Sequence, residues 1–404
     1  MAQQRLRVLL VEDDPGDAEL ISYALRQSLN PSFVVIHETT LATAIERLTV
    51  SASFDVLLLD LSLPDSGSAD TLPRLQAAAP PLPIVIMTGL DDPRVAEKAI
   101  EMGAQDYLVK GEAGSETVAR TLQYAIYRFR SERERLALAD TLAAEYDRMA
   151  EELSLARSMQ FDLLPRADRL ERYRQTHGID IRGHFQPCSD IGGDLWGCFE
   201  GTEGRLAAFL MDFSGHGVGA ALNVFRLHTL ISEQNGHIAD PAATLGHLNR
   251  TLKGVLPRGQ YATIVLALID PVAGTLTWSA AGAPPPMLFV PGCEVELIDT
   301  SGLPLGIAAA TEYTNRVLPF PAGSSLFLYS DAMTESKLVG GDDMVGEALL
   351  AEFVKFAHQD DGGIDVDGLV SRFLDKVVKP LDDDLTAVCI TRTGAAGGDD
   401  DLIG

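Results

Sequence analysis

Short apolar runs alternate with amphipathic stretches over residues 6–130. Five of the runs are typical of buried strands, at residues 7–11, 33–36, 54–60, 84–87 and 106–109. The stretches between them carry apolar residues at helical spacing, for example Ala18, Ile21 and Leu25. Buried strands joined by helices predict a parallel sheet covered on both faces, which is an α/β doubly wound fold of five strands. In such a sheet the functional groups gather at the carboxyl ends of the strands.

A long helical pattern without Pro or Gly follows from about Glu116 to Leu164. Residues at spacings of three and four form a seam along one side of this helix, in two successive registers. The first register contains Leu122, Ile126, Phe129, Arg133 and Leu136. The second register contains Leu142, Tyr146, Met149, Leu153, Ala156, Gln160 and Leu163. Six residues separate Leu136 from Leu142 where a continuous heptad needs seven, so the seam has a phase break. We predict a coiled-coil linker that forms a parallel homodimer. Two helices that each pack on their own domain remain the alternative.

The chain beyond Pro165 is rich in strands. They are predicted at residues 205–212, 261–269, 274–278, 287–290, 294–298, 325–329 and 385–390, with helices at 218–235, 241–255, 346–358 and 366–379. Strand runs interspersed with helix pairs predict an α+β domain in which a β-sandwich is flanked by helices. We therefore expect a multidomain chain with a first domain over 1–128, a helical linker over 129–165, a second domain over 166–393 and a disordered tail over 394–404.

Composition narrows the classes of partner. The formal charge of −26 over 404 residues argues against nucleic acid, because phosphate backbones select basic surfaces. No apolar stretch approaches the roughly twenty residues of a membrane span. The four cysteines lack zinc-type pairing and are typical of small buried residues in a reducing compartment. We expect a cytoplasmic protein with neither a membrane nor a nucleic-acid partner.

Polar residues mark the ends of four of the first five strands. Glu12 and Asp13 follow the first strand, Asp60 ends the third, Thr88 ends the fourth and Lys110 follows the fifth. At one sheet edge the three carboxylates would hold Mg²⁺. The metal and Lys110 would neutralise a phosphoryl group during its transfer to the Asp60 carboxylate. Taken together, these spacings predict a phospho-acceptor switch.

Residues 6–128 resemble a response-regulator receiver domain. The matching motifs are Val-Glu-Asp-Asp-Pro at 11–15, Leu-Leu-Leu-Asp-Leu-Ser-Leu-Pro-Asp at 57–65, Met-Thr-Gly at 87–89 and Gly-Ala-Gln-Asp-Tyr-Leu-Val-Lys at 103–110. The resemblance implies that Glu12 and Asp13 bind Mg²⁺ together with Asp60, which is the phospho-acceptor. It also implies that Thr88, Tyr107 and Lys110 form the switch and that a histidine kinase is the phosphoryl donor.

A second acidic set is spread over the carboxy-terminal half, where most members border apolar runs. It consists of Asp194, Asp212, Asp331 and Asp383. Brought together, these carboxylates would hold two divalent cations, which lower the pKa of a bridging water and position it for hydrolysis of a phosphoester. Asp382 and Asp384 flank Asp383, so the metal ligand predicted at Asp383 could instead be one of these two neighbours. His216, between two glycines, is interpreted as a loop residue and not as a ligand.

Residues 150–392 resemble the bacterial type 2C metal-dependent serine/threonine phosphatases, in the sporulation-E and RsbU-like branch. The matching segments are 155–165, 191–194, 212–218, 261–263, 330–335 and 383–386. The resemblance implies that the four aspartates bind two Mn²⁺ or Mg²⁺ ions, and we place Phe213 among the metal-binding residues. The substrate that it implies is a phosphoserine or phosphothreonine on an anti-sigma-factor antagonist.

Three residues depart from the family pattern. Ala332 stands where Gly is usual, and Gly219 stands where Pro is usual. Ala283 stands where the family normally has the motif Ala-Gly-His. Because all four aspartates are retained, we predict an active phosphatase controlled by Asp60 phosphorylation. The segment 153–165 is then expected to adjust metal occupancy or the Asp212 loop. The rival hypothesis is a catalytically weak phosphatase fold that sequesters a signalling partner. A transcription factor is disfavoured because no DNA-binding motif or basic surface is present.

Overall fold

The computed structural model of the protein describes residues 5–29, 31–50, 53–89, 98, 100–111, 114–215, 217–358 and 363–393. The tail over 394–404, predicted to be disordered, and His216 lie outside these ranges. The chain divides into two compact units that meet between Asp147 and Arg148.

The first unit contains one parallel five-stranded sheet. Its strands are β1 (Arg5–Val11), β2 (Ser32–Glu38), β3 (Val56–Asp60), β4 (Ile84–Thr88) and β5 (Asp106–Val109), in the order β2-β1-β3-β4-β5. Helices Pro15–Arg26, Leu41–Val50 and Thr71–Ala78 lie between strands in the chain. Apolar side chains pack on both faces, with Val8 and Leu10 in one cluster and Leu9 and Leu57 in the other. Because both faces are covered, the strands are continuously apolar, which confirms the doubly wound fold.

The linker forms one helix, Ser115–Phe161, of 47 residues. It ends three residues earlier than predicted. The backbone N–H groups of residues 163 and 164 donate 3.1 Å hydrogen bonds to the carbonyl oxygens of Gln160 and Phe161, three residues back, instead of continuing the four-residue spacing of an α-helix. Pro165 follows directly, and a proline disfavours helical geometry at the residue before it. The phase break between Leu136 and Leu142 therefore lies in the apolar seam and leaves the helical backbone continuous.

The second unit is built around two antiparallel sheets. The first sheet has the order β13-β10-β9-β8-β7 and the second has the order β12-β11-β14-β15-β6. The strands are β6 (Ile179–Gln186), β7 (Asp194–Glu200), β8 (Leu206–Phe213), β9 (Ala262–Asp270), β10 (Thr275–Ala281), β11 (Met287–Phe289), β12 (Glu296–Leu297), β13 (Arg316–Pro319), β14 (Ser325–Tyr329) and β15 (Leu385–Arg392). A shared core that includes Trp196, Trp278 and Phe185 joins the facing sides of the two sheets.

Helices cover the outer faces of this sandwich. Val218–Ser232 and Pro241–Lys253 pack on the first sheet through a core that includes Phe209 and Leu245. Gly346–Ala357 and Val366–Leu374 pack on the second sheet through a core that includes Phe327 and Phe373. The predicted sandwich flanked by helices is therefore confirmed. Helices Ala167–His177 and Ala332–Glu335 complete the set in the described part of this unit.

The sequence prediction missed β6, β7, β13 and helix Ala167–His177, and it extended β12 to five residues where the structure has two. Strand β7 contains a central glycine and charged ends, yet its residues 194–199 are buried. Its Gly197 is required by space, because a Cβ there would lie 2.6 Å from the Phe209 ring. The sequence of this segment is typical of a loop. It forms a strand because it pairs with and packs against the neighbouring strand β8.

Within the described part of the chain, every helix is too short or too polar to cross a lipid bilayer.

Candidate functional site

Acidic residues at two strand ends and on one helix of the first unit surround the Lys110 ammonium. Its Nζ lies 2.5 Å from Asp60 Oδ2, 2.6 Å from Glu12 Oε2 and 3.1 Å from Asp17 Oδ2. Glu12 follows β1, Asp60 ends β3 and Lys110 follows β5, so the parallel sheet brings them to one edge. Glu12 and Asp60 are both buried. The arrangement neutralises two buried carboxylates with one cation.

Burial and hydrogen bonding act in opposite directions on the pKa values of Glu12 and Lys110. Burial raises the pKa of the Glu12 carboxyl, which the Lys110 hydrogen bond partly offsets and the Asp60 charge reinforces. Burial alone would lower the pKa of Lys110, but its hydrogen bonds to Asp60 and Glu12 outweigh that effect and raise it above its usual range. Lys110 therefore stays charged at neutral pH and can balance added negative charge at Asp60.

The same edge has the donors that a hard cation needs. Carboxylate oxygens of Glu12, Asp13 and Asp60 all lie within 4.8 Å of one another, and Asp13 is exposed to solvent. Magnesium prefers such oxygen ligands and retains water molecules at its open positions. The residues present therefore fit Mg²⁺.

The two further switch residues lie on the neighbouring strands. Thr88 ends β4 with a half-exposed side chain, and its backbone carbonyl accepts a 2.8 Å hydrogen bond from the Lys110 N–H. Tyr107, on β5, is 40% exposed and therefore is not a core residue. Both side chains can thus change their contacts without disturbing the core.

In the second unit, strand pairing places Asp194 and Asp212 directly opposite each other on β7 and β8. Asp331 follows β14 by two residues, and Asp383 precedes β15 by two. Strands β14 and β15 pair with each other, with Tyr329 opposite Ala387. Each sheet therefore contributes two of the four predicted aspartates at the end of a strand pair.

The electrostatics show that these four carboxylates act on one another. Burial raises the pKa of Asp194 well above its usual range, and the Asp212 charge adds to the effect. Burial also raises the pKa of Asp212 to about 7, with contributions from Asp331 and Asp383. For Asp331, burial followed by the Asp383 charge raises the pKa to about 6. Like charges that disfavour ionisation so strongly create a site where a divalent cation is favoured.

The ligand atoms of the predicted aspartates do not all lie within 4.8 Å of one another. Among the described residues, the group in this unit with ligand atoms within 4.8 Å of one another is Cys188, Asp383 and Asp384, and no such group joins Asp194, Asp212 and Asp331. Burial, followed by the Asp384 charge, raises the pKa of the Cys188 thiol to about 12, so it stays protonated and ligates poorly. The carboxylate set, with its oxygen donors, fits Mg²⁺ or Mn²⁺ better than a thiophilic metal.

The adjacent aspartates 383 and 384 have different environments. Asp384 is 1% exposed, and its carboxylate accepts backbone hydrogen bonds from Cys188 at 2.7 Å, Gly193 at 2.5 Å and Asp194 at 3.3 Å. Asp383 has an exposed side chain. Asp384 therefore fixes the loop before β7, and Asp383 remains the candidate ligand.

Two glycines let this loop pass close to the carboxylates. A Cβ on Gly192 would lie 2.6 Å from Asp384 Oδ2, and a Cβ on Gly193 would lie 3.0 Å from the Phe213 carbonyl oxygen. The Gly193 carbonyl also accepts a 3.0 Å hydrogen bond from the N–H of Phe213. The buried Phe213 therefore belongs to the site through its backbone.

Sequence reasoning missed several residues that hold the site. Thr386 is buried and donates its hydroxyl to Asp194 Oδ2 at 2.6 Å. Ser330 donates its hydroxyl to the Asp384 carbonyl and accepts the N–H of Thr386. Both residues lie inside the motifs 330–335 and 383–386, which contain Asp331 and Asp383. The available signal was a hydroxyl residue one or three positions from a predicted aspartate ligand.

Gln160, near the end of helix Ser115–Phe161, reaches the same loop. Its side chain is fully buried; Nε2 donates to the Gly192 carbonyl at 2.8 Å, and Oε1 accepts the Gly192 N–H at 3.0 Å. The sequence offered Gln160 only as a polar residue at a seam position. In the structure it connects the linker helix to the residue two positions before Asp194.

The departures from the family pattern leave the backbone unstrained. Ala332 begins helix Ala332–Glu335, and the preceding Asp331 has right-handed helical angles of φ −59° and ψ −27°. Gly219 lies in helix Val218–Ser232, and Ala283 is buried in the sandwich core. Nothing at Ala332 requires the left-handed conformation that favours glycine.

Two family models match successive parts of the chain. The response regulator receiver domain matches residues 8–121, and stage II sporulation protein E (SpoIIE) matches residues 202–393. The DNA-binding response regulator MtrA of Mycobacterium tuberculosis is 32% identical over 183 residues, which are 44% of this chain and 78% of MtrA. The chain therefore belongs to the response regulators, and its second unit contains a phosphatase domain of the SpoIIE, or PP2C, type.

Two further relatives concern that domain. The phosphoserine phosphatase RsbP of Bacillus subtilis is 24% identical over 161 residues, which are 39% of this chain and 40% of RsbP. The SiaA-PP2C domain of Pseudomonas aeruginosa has a TM-score of 0.53 and 21% identity, over 62% of this chain and 99% of that domain, which shows the shared fold. The chain spans less than half the length of the first two curated relatives that it matches, 49% and 40%.

Proposed function

We propose that the chain is a response regulator in which phosphorylation of Asp60 controls a Mn²⁺- or Mg²⁺-dependent protein serine/threonine phosphatase. The observation that carries this proposal is the placement of four acidic residues in a PP2C-type domain: Asp194 lies opposite Asp212 on β7 and β8, and Asp331 and Asp383 flank the paired strands β14 and β15. Asp194, Asp212, Asp331 and Asp383 are the proposed ligands, with the backbone of Phe213 beside them. We keep the boundaries 1–128, 129–165 and 166–393 for the receiver, linker and phosphatase parts of this scheme.

The chain's own residues supply binding and orientation in this proposal. Bound divalent cations would ionise a water molecule and balance the charge of the phosphate ester. Thr386 orients Asp194 through its hydroxyl, and Asp384 holds the loop that precedes it. Because these supporting groups are buried and hydrogen-bonded, the ligands are held in place before a substrate arrives.

The proposed substrate is a phosphoserine or phosphothreonine on an anti-sigma-factor antagonist, within a partner-switching pathway. The phosphoserine phosphatase RsbP, which matches this chain, supports phosphoserine as the reacting group. A histidine kinase is the proposed donor for Asp60, where Lys110 would balance the incoming phosphoryl charge.

The linker helix is the proposed route between the two activities. In the segment 153–165, Gln160 holds Gly192 through both of its amide atoms, so a shift of this helix would move the loop before Asp194. We also propose that the linker forms a homodimer. Its seam residues Leu142, Tyr146 and Met149 are 57%, 67% and 56% exposed, which leaves an apolar face for a second copy.

Activity on a phosphorylated antagonist protein tests the proposal. The full chain should hydrolyse it only with Mn²⁺ or Mg²⁺, and Asp331→Asn should lose at least about a hundredfold in rate, since one ligand of the cation pair is neutralised. A small-molecule phosphodonor should change the rate of the unaltered chain and leave Asp60→Asn at its basal rate.

The binding-module hypothesis makes the opposite prediction. It expects the protein to bind the phosphorylated partner stably without releasing phosphate, and it expects Asp331→Asn to retain that binding.

A further inference from the structure

A cleft of about 460 Å³ opens beside the candidate metal ligands of the second unit, and Asp331 and Asp383 are part of its lining. Its size is within the range of protein ligand sites. Further lining residues include Lys337, Met344, Val378 and Lys379. The cleft is therefore continuous with the proposed catalytic site.

Backbone pairing makes the walls of this cleft regular. The N–H of Val378 donates to the Lys337 carbonyl at 2.9 Å, and Lys337 also forms an antiparallel bridge with Met344. The N–H of Val345 donates to the Ser336 carbonyl at 3.1 Å. Segment 336–345 is thus folded back on itself and tied to segment 376–378. Residues lining the cleft have a defined backbone on which to present their side chains.

The cleft combines two apolar side chains with two positive ones. Met344 and Val378 are 56% and 48% exposed, so both have apolar surface that a ligand in the cleft could cover. Lys337 and Lys379 are exposed and form no ion pair with any described residue. They are cations in a chain of net charge −26. A ligand with acidic and apolar groups matches this surface.

Four acidic side chains line the cleft together with the two lysines. Acidic Glu335 and Asp382 also line the cleft, but they lie close in sequence to the candidate ligands. Lys337 is six residues beyond Asp331, and Lys379 is four residues before Asp383. Bound cations would neutralise Asp331 and Asp383, which leaves Glu335, Asp382 and the two lysines as the charged lining that a ligand would meet.

We propose that this cleft binds the stretch of the substrate protein next to its phosphorylated serine or threonine, and that it selects an acidic and an apolar side chain there. Lys337 and Lys379 contact the acidic group, while Met344 and Val378 cover the apolar one. This inference rests on the proposed phosphatase function and adds a specificity site to it.

The test uses the full chain with Mn²⁺ and two phosphoserine peptides. One peptide carries Glu and Leu beside the phosphoserine, and the other carries Lys and Ser at the same positions. The variants are the double substitution Lys337→Glu with Lys379→Glu, and the control Lys355→Glu, another exposed lysine, on helix Gly346–Ala357 outside the cleft. The measurement is kcat/KM for each peptide, divided by that for p-nitrophenyl phosphate, which has no flanking residues.

The unaltered chain should prefer the Glu-Leu peptide by about tenfold or more, through a lower KM, and added salt should reduce that preference. The double variant should lose or invert the preference, and Lys355→Glu should keep it. An absent preference in the unaltered chain, or one that survives in the double variant, overturns the specificity site. A chain that hydrolyses neither peptide nor p-nitrophenyl phosphate contradicts the proposed function instead.

Discussion

Replacing Gln160 by leucine tests whether the linker helix holds the metal loop. The Gln160 side chain is fully buried and forms two hydrogen bonds with the same residue, Gly192, at 2.8 and 3.0 Å. Leucine is one atom shorter and apolar, so it removes both bonds while filling most of the space. The N–H and C=O of Gly192 then have no partner in a buried setting.

The expected effect follows from those two groups. A buried backbone group left without a partner costs about 1–3 kcal/mol, so two of them cost about 2–6 kcal/mol. The protein can lower this cost by letting the Gly192 loop move towards water. That movement would displace Gly193, whose N–H is bonded to Asp384, and the adjacent Asp194. The cost would then appear as weaker binding of the cation, at about tenfold for each 1.4 kcal/mol.

The assay is chemical unfolding of the full chain with and without Mn²⁺, together with the Mn²⁺ concentration that half-activates phosphate release. Gln160→Leu should lower the unfolding free energy of the phosphatase part by at least about 2 kcal/mol, or raise the half-activating concentration at least tenfold. The matched control is Gln175→Leu, because Gln175 bonds only the exposed Glu171 and should change stability by less than about 0.5 kcal/mol. Unaltered stability together with unaltered cation affinity in Gln160→Leu would refute the coupling.

Three further predictions concern the carboxylates and the helix beside them. Asp212 and Asp331 bind protons more tightly when folded, with pKa values of about 7 and 6 against an ordinary 3.8, so without metal the phosphatase part should lose stability as pH rises from about 4 to 7. Mn²⁺ should therefore raise its melting temperature more at pH 8 than at pH 5, and an equal rise at both would be contrary evidence. Asp384→Ala should cost at least about 3 kcal/mol by urea unfolding, because three backbone N–H groups lose their acceptor, whereas the exposed Asp382→Ala should cost less than about 0.5 kcal/mol. Ala332→Gly should keep phosphatase activity within about twofold and lower stability by at most about 1 kcal/mol, since the site is helical; a large gain in activity would show that the alanine impairs the metal site.

The receiver site was predictable because parallel sheets impose their geometry on the chain. Each of Glu12, Asp60 and Lys110 stands at the same end of a short apolar run, and parallel strands bring those ends to one edge. The Glu12 and Asp60 carboxylates both lie within hydrogen-bond distance of the Lys110 ammonium group. Tyr107 is different, since its exposure depends on what covers the edge strand β5 and the sequence gives no local sign of that.

In the phosphatase part, the local sequence does not determine which acidic side chain is buried. The motifs identified the acidic positions, but Asp383 and Asp384 are neighbours of the same chemistry, and only the packing of β15 beside β14 and β6 buries one and exposes the other. The contact from Gln160 to Gly192 spans 32 residues.

The sequence by itself therefore determined the two kinds of domain, the linker helix and the acidic positions, because hydrophobic period and short motifs are local properties. The tertiary structure alone decided which acidic group is buried among backbone donors and which helix residue reaches the loop. Burial and hydrogen bonding depend on segments that are distant in the chain and meet only when the sheets pack.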